Sequence, residues 1–206
     1  VEKPKVYEEA DDCGCATVTL LNVGACLAGF LFGYDTGIVS GAVANVQGTL
    51  GLSTSQIELA VAATPAGACV FSLLAAYFND RLGRRGTLVF ASGFYAAGAF
   101  VVGAATDLPT LVVGRTGLGI AVGLGSMTVP IFVAEIAPAQ HRGGMVTLYD
   151  MMIVVGQVIA GLVNGLALYA DRGAWRFTMG FAALPAVIQG FLLVGLPESP
   201  RWLLQA

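Results

Sequence analysis

The chain has 206 residues, of which 56% are hydrophobic and only 11% are charged. A soluble domain carries about a quarter charged residues, so this composition excludes an ordinary soluble domain and predicts a polytopic membrane protein. The net charge is −3, and five acidic residues crowd into the first dozen positions: Glu2, Glu8, Glu9, Asp11 and Asp12. We assign this acidity to a polar N-terminal tail, residues 1–15, and it gives no indication of a nucleic-acid partner.

Six apolar segments follow the tail. Each is long enough to cross a bilayer, which takes about twenty apolar residues. The predicted fold is therefore all-α, a six-helix transmembrane bundle over residues 16–196. The predicted spans are residues 16–43, 57–78, 86–105, 111–133, 144–169 and 175–196. We expect the first span to cross with a tilt or a local break at its glycines, and a polar connector, residues 45–58, to follow it.

The orientation of the bundle is predicted from the basic residues near the ends of the spans. Seven fall on the side of the N-terminus: Lys3, Lys5, Arg81, Arg84, Arg85, Arg142 and Arg201. Only Arg172 and Arg176 fall on the other side. We therefore expect an integral, multi-pass membrane protein with both termini in the cytoplasm, or on the equivalent side of an organelle membrane.

Two isolated opposite charges lie well within the predicted spans, Asp35 in the first and Arg115 in the fourth. A guanidinium stays charged at any accessible pH, so inside a membrane it needs a carboxylate or a water-filled cavity. We predict that the two side chains pair. Such a pair could be a static structural bridge, or it could open with conformation and let the carboxylate take up and release a proton.

The fifth predicted span carries a polar stripe, because Asp150, Gln157 and Asn164 are spaced by seven residues, or two helical turns. Such a stripe can line a cavity and exchange hydrogen bonds with a polar solute. It can also join neighbouring helices without any solute. We favour the solute for Gln157, in the middle of the span, and helix-to-helix bonding for Asn164, near its end.

The fourth span also carries small residues four apart: Gly119 with Gly123, and Gly117 with Ala121 and Gly125. We expect them to allow close packing of a neighbouring helix. This glycine-rich run lies inside an apolar helix and not after a strand, so it does not match a dinucleotide-binding loop.

The four cysteines do not form a disulfide framework or a metal-binding set. Cys26 and Cys69 lie within apolar runs, where a thiol is usually a packing residue. Cys13 and Cys15, in the tail, could bind a metal or oxidise, but no second pair of ligands accompanies them. With no nucleophile, metal set or nucleotide loop, the sequence predicts neither an enzyme nor a bound cofactor.

Six motifs in this order resemble the sugar-porter family of the major facilitator superfamily. They are FGYDTGIVSGA (residues 32–42), DRLGRR (80–85), GRTGLGIAVG (114–123), PIFVAEIAPAQHRGG (130–144), GQ (156–157) and PESPRWLL (197–204). The resemblance covers nearly the whole chain after the tail. It implies a proton-coupled sugar or polyol transporter, a symporter, that binds its solute and a proton within the lipid bilayer.

The resemblance also implies roles for individual residues. Asp35 matches the aspartate of proton-coupled members, Arg115 is its partner, and Phe32 and Gln157 face the solute. Asp150 stands where many hexose carriers have a sugar-binding glutamine. An aspartate at this position would tolerate a polyol or another solute in place of a hexose. The resemblance further implies a cytoplasmic charge network that latches the outward-open state, formed by Asp80, Arg84, Arg85, Glu135, Arg142, Glu198 and Arg201.

Family members have twelve spans in two six-helix halves. This chain matches the N-terminal half, and residues 197–206 match the start of the cytoplasmic linker. We therefore expect a complementary six-helix half or other membrane subunits as partners. The alternative function is that of a non-transporting half-carrier, which acts as a structural membrane subunit of a larger assembly.

Overall fold

The structure is a computed structural model that describes residues 15–167 and 173–204. Every regular element in these two ranges is a helix. The helices are α1 (Cys15–Leu50), α2 (Thr54–Gly103), α3 (Leu108–Ile136), α4 (Arg142–Ala167), α5 (Ala174–Gly180), α6 (Ala183–Val194) and α7 (Pro200–Leu203). The predicted tail lies outside the described residues except for Cys15, and the hypothesis of a metal or redox role for Cys13 lies wholly outside them.

The first helix is longer than the predicted first span. It continues without a break through the glycines beside Asp35 and through the first part of the predicted connector, and it ends at Leu50. Gly51 then takes a positive φ of 63°, a conformation that favours glycine. The prediction of a connector over residues 45–58 was therefore wrong in extent, because polar residues alone do not end a helix.

Helix α2 begins at a capping box. The Ser53 hydroxyl accepts a hydrogen bond from the Gln56 backbone N–H, and the Gln56 side chain accepts one from the Ser53 N–H. These bonds satisfy two donors that the helix terminus leaves free. Ser53 and Gln56 belong to the polar connector of the sequence prediction, so its last residues start the second span.

A single kink divides α2 into the predicted second and third spans. The helix has 50 residues, or about 75 Å at 1.5 Å per residue, whereas the hydrocarbon core is about 30 Å thick. Gly83 has non-helical backbone angles, with φ at 78° and ψ at 169°. The chain can therefore leave the membrane at Gly83 and re-enter it, which gives six crossings.

The sixth span is not one continuous helix. It consists of α5 and α6, which are separated by a turn at Phe181 and Ala182. The short α5 is fixed to α1, because the Tyr34 hydroxyl donates a 2.8 Å hydrogen bond to the Thr178 carbonyl. Together α5 and α6 still provide an apolar segment from Ala174 to Val194 that is long enough to cross a membrane.

Helices α1 and α4 pack in parallel along a row of glycines spaced by four residues. Tyr149, Ile153, Gln157 and Asn164 of α4 lie against Gly29, Gly33, Gly37 and Gly41 of α1, in that order. A methyl group on Gly33 would overlap the Ile153 carbonyl. The missing side chains therefore allow the two backbones to touch, and this places Gln157 beside the turn that holds Asp35.

Two of the four glycines predicted to allow close packing of α3 do so in the same way. Gly119 and Gly123 lie against the backbone of residues 64–72 in the first half of α2. Gly117 is in looser contact with Gly98 in the second half of α2, but Gly125 has no such neighbour among the residues that the structure describes. The packing prediction is therefore confirmed for Gly119 and Gly123 and wrong for Gly125.

Candidate functional site

The predicted ion pair inside the membrane is formed. Nη1 of Arg115 donates a hydrogen bond of 2.7 Å to Oδ1 of Asp35. The two residues are only 5% and 4% exposed. Burial of either charge alone would cost free energy, whereas in the pair each charge has a partner of opposite sign.

Two buried hydrogen bonds hold the helices that carry this pair. The Thr64 hydroxyl donates to the Arg115 carbonyl at 2.9 Å, which ties α2 to α3. The Tyr95 hydroxyl donates to the Leu31 carbonyl at 2.7 Å, which ties α2 to α1 one turn before Asp35. The backbones around the pair are therefore fixed from both halves of α2.

The pair lies at the wall of a cavity of about 480 Å³ between α1, α2 and α3. Its lining residues are Phe32, Asp35, Thr36, Val39, Val61, Thr64, Pro65, Ala68, Cys69, Ser72, Arg115, Val122 and Ser126. Ligand pockets in proteins measure about 300 to 1,000 Å³ and combine apolar walls with a few polar groups. The cavity has both properties, and it includes three of the residues named from the sequence: Phe32, Asp35 and Arg115.

The residues of the polar stripe have different surroundings. Gln157 is exposed, and its Nε2 donates to Oγ1 of Thr36 at 3.3 Å, so it adjoins the cavity through Thr36. Asn164 donates to the carbonyls of Gly37 and Ile38 at 3.3 and 3.0 Å, the helix-to-helix bonding favoured for it above. Asp150 is exposed and is not among the residues that line the cavity.

A second cluster of charges lies at the kink of α2. Nη2 of Arg84 donates to Oε1 of Glu135 at 3.1 Å, and its Nε forms an ion pair with Oε2 at 3.0 Å. The Ser199 hydroxyl donates a short hydrogen bond to Oε2 of the same carboxylate. Glu198 accepts hydrogen bonds of 3.0 Å from the backbone N–H groups of Arg85 and Ser199. Helices α2 and α3 and the segment before α7 therefore meet at two carboxylates.

The rest of the predicted charge network takes no part in an ion pair within the described residues. Arg142 donates from Nε to the Ala137 carbonyl at 3.0 Å. Asp80 contributes its carbonyl, which accepts from Nε1 of Trp202 at 3.0 Å. Arg201 is exposed. Of the seven predicted members, Arg84, Glu135 and Glu198, with the backbone of Arg85, come together in this structure.

Several polar residues at these sites were not identified from the sequence. Asn79 accepts a 3.0 Å hydrogen bond from Thr128, and both are almost fully buried between α2 and α3. The Thr64 hydroxyl joins α2 to α3, and the Ser199 hydroxyl joins the segment before α7 to α3. Hydroxyl and amide residues are common in membrane helices and their partners are distant in sequence, so no spacing indicated them. The only sequence signal for such residues is a polar side chain within an apolar segment.

The comparison with known proteins gives concordant results. The family model described as "Sugar (and other) transporter" matches residues 21–206. The chain is 43% identical over 190 residues to the human (Homo sapiens) proton myo-inositol cotransporter, covering 92% of this chain and 29% of that protein. It is 37% identical to the glucose transporter GlcP of Staphylococcus epidermidis, covering 90% of this chain and 41% of that protein.

Among solved structures, a D-xylose-proton symporter superposes with a TM-score of 0.83 at 30% identity, covering 91% of this chain and 50% of that one. The chain thus spans at most about half the length of the relatives described here. The family model covers most of the chain, and the solved symporter has the same helical fold. This protein therefore belongs to the sugar porter family of the major facilitator superfamily.

Proposed function

We propose that this chain provides the N-terminal bundle of a symporter that moves a cyclic polyol together with a proton. The observation that carries the proposal is the buried Asp35–Arg115 pair at the wall of a solute-sized cavity. A relative with 43% identity is named as a proton myo-inositol cotransporter. A carboxylate in this position is a group that can both face the solute and bind the proton.

The coupling step in this proposal is the opening of the ion pair. While Arg115 contacts Asp35, the guanidinium stabilises the ionised carboxylate. When a change in helix packing separates them, the carboxylate is left in a poorly solvated site, where the protonated form is favoured. Proton uptake is then linked to the conformation of the bundle, which is the requirement for driving solute uphill.

The solute in this proposal is held by Phe32, Gln157 and Asp150. Phe32 supplies an apolar surface at the cavity. Gln157 donates a hydrogen bond to Thr36, which lines the cavity, so its side chain lies beside the cavity. Asp150 is exposed on the same helix as Gln157. A carboxylate accepts hydrogen bonds only, so we propose that Asp150 favours a solute rich in hydroxyl donors.

The charge cluster at the kink of α2 is the proposed latch of the outward-open state. The Arg84–Glu135 pair joins α2 to α3, and the bond from Ser199 to Glu135 joins the chain after the sixth span to both. We propose that this face is cytoplasmic, together with both ends of the chain. Breaking these contacts would let the helices part on that side.

We also propose a partner for the open side of the cavity, a complementary six-helix half or another membrane subunit. Alternating access requires one bundle to rock against another around a central site. The cavity is walled by α1, α2 and α3, and the exposed Asp150 would cost about 2.5–3.5 kcal/mol if it faced the middle of the bilayer. Liposomes that contain only this chain should therefore show no saturable uptake. Saturable uptake by the purified chain would contradict the need for a partner.

The proposed activity is tested with the complete carrier in liposomes that contain a pH-sensitive dye. With no imposed gradient, external myo-inositol should acidify the lumen as protons enter with the solute. Glucose should compete poorly, because its ring oxygen needs a hydrogen-bond donor, which a carboxylate at position 150 does not supply. Uptake of myo-inositol without any proton movement would exclude the symporter, and efficient competition by glucose would exclude the polyol preference.

A further inference from the structure

The cavity has a second set of polar residues, on the wall formed by α2 and α3. Ser72 and Cys69 of α2 and Ser126 of α3 line it. This wall exists because α2 and α3 touch at Gly123, where an added methyl group would lie 3.0 Å from the Ser72 backbone nitrogen. Ser126 lies three residues further along α3, so the close approach brings the two hydroxyls to the same part of the cavity.

The hydrogen atoms of both hydroxyls are already used within their own helices. Ser72 donates to the Cys69 carbonyl at 2.9 Å, and Ser126 donates to the Gly123 carbonyl at 3.1 Å. A hydroxyl has one donor and two acceptor lone pairs. What remains on each oxygen is the capacity to accept, so this wall offers acceptors to whatever occupies the cavity.

We infer that Ser72 and Ser126 are solute-binding residues, which accept hydrogen bonds from hydroxyl groups of the polyol in addition to the contact proposed for Gln157. This inference rests on the proposed function, and it adds that the cavity discriminates between solutes by the number and position of their hydroxyl groups. A site that accepts from a hydroxyl discriminates against an analogue that lacks it, because its acceptors are then left unpaired once the solute fills the cavity.

The test combines variants with solute analogues in the complete carrier. Uptake of myo-inositol and of its mono-deoxy analogues is measured for the wild type, Ser72→Ala and Ser126→Ala. Removal of the hydroxyl that meets Ser72 should raise KM about tenfold in the wild type, the effect of one lost hydrogen bond. In Ser72→Ala that analogue and myo-inositol should have the same KM. In Ser126→Ala a different mono-deoxy analogue should have the same KM as myo-inositol.

The matched control is Ser40→Ala. Ser40 lies in α1, and its hydroxyl donates to the Gly37 carbonyl at 2.8 Å, three residues earlier, as in Ser126. It does not line the cavity. Its replacement should leave the whole series of KM values unchanged, which separates loss of a solute contact from loss of a hydroxyl inside a helix.

Cys69 gives a readout that does not need transport. It is an exposed thiol on the same wall, whereas Cys26 is half-buried and does not line the cavity. In a carrier in which Cys69 is the only remaining cysteine, with Cys13, Cys15 and Cys26 among those replaced by serine, a small charged thiol reagent should modify Cys69. Myo-inositol at ten times its Kd should slow this reaction about tenfold, by occupancy alone. In Ser72→Ala the same protection should need more solute.

The outcomes separate the two proposals. Protection of Cys69 that weakens in Ser72→Ala, without any proton-coupled uptake, would support this wall and contradict the symporter. Two results would contradict the roles of Ser72 and Ser126 without contradicting the symporter. One is uptake in which each analogue raises KM equally in all variants, and the other is full reactivity of Cys69 in saturating solute. If no polyol is taken up and none protects Cys69, both are wrong.

Discussion

Gly83 lies directly against Glu198. An added methyl group at Gly83 would lie 2.5 Å from Oε2 of that carboxylate, and the glycine has a φ of 78°. The kink that divides α2 therefore depends on a residue without a side chain, for both conformational and steric reasons. The same carboxylate binds the backbone on the far side of the kink, at Arg85.

The first prediction is that Gly83→Ala destabilises the protein. A backbone with φ at 78° and ψ at 169° is essentially confined to glycine and costs about 1–3 kcal/mol for a residue with a side chain, and Glu198 would also have to move. Thermal unfolding in detergent, followed by size-exclusion chromatography, should show a lower midpoint. The control is Gly93→Ala in the same helix, where an added methyl group meets no other described residue within 4 Å. Equal midpoints for the two variants would contradict the account of the kink.

The second prediction concerns the contact between α1 and α4. Gly33→Ala should push the two helices apart, because the methyl group would overlap the Ile153 carbonyl. Overpacking of this kind costs about 1–3 kcal/mol. The control on α4 is Gly161→Ala, because an added methyl group there meets none of the described side chains or neighbouring helices within 4 Å. This variant should unfold at or above the wild-type temperature. A wild-type midpoint for Gly33→Ala would show that the helices are not in backbone contact there.

The third prediction is an energetic coupling between Arg84 and Glu135. Both side chains are about nine-tenths buried, at 11% and 7% exposure. Glu135→Gln leaves the guanidinium without its counter-charge and should cost about 1–3 kcal/mol. In a double-mutant cycle with Arg84→Met, the double variant should lose less than the sum of the single ones. Arg201→Gln is the control, since Arg201 is exposed and forms no ion pair within the described residues.

The fourth prediction is the orientation in the membrane. In a carrier without native cysteines, Ser55→Cys should react only with reagents on the non-cytoplasmic side, and Gln140→Cys only with cytoplasmic ones. Both positions are exposed at the ends of helices, and the basic residues place them on opposite sides. Reaction of Ser55→Cys with a reagent confined to the cytoplasm would reverse the proposed topology.

Parts of the site could be predicted from the sequence because charge inside a membrane leaves few choices. Asp35 and Arg115 are isolated opposite charges in separate spans, and the structure pairs them. The resemblance to the family placed Arg84 and Glu135 in one charge network, and the structure shows that these two residues pair. By contrast, Ser199 and Thr64 act through hydroxyls that occur throughout the chain, and their partners follow from helix packing that no local pattern encodes.

The boundaries of the helices were less predictable for a related reason. Hydropathy marks where a helix must be apolar but not where it ends, so α1 runs on to Leu50. The end is set by backbone conformation at Gly51, and the division of α2 by that at Gly83. The turn at Phe181 lies inside an apolar run, and neither its hydropathy nor its composition indicates a break.

The most direct test of the symporter is Asp35→Asn in the complete carrier. Asparagine keeps the shape and can still accept from Arg115, but it cannot titrate. The matched control is Asp107→Asn. Hydrogen bonds from Thr110 hold the pKa of Asp107 below its usual range, so this carboxylate stays ionised in the assay, and asparagine caps a helix as well as aspartate does.

The measurement is accumulation of labelled myo-inositol in vesicles under an inward proton gradient, beside exchange at equal concentrations. Asp35→Asn should abolish accumulation above the external concentration and retain exchange, while Asp107→Asn should accumulate as the wild type does. Undiminished proton-driven accumulation by Asp35→Asn would contradict the central claim that Asp35 carries the coupled proton.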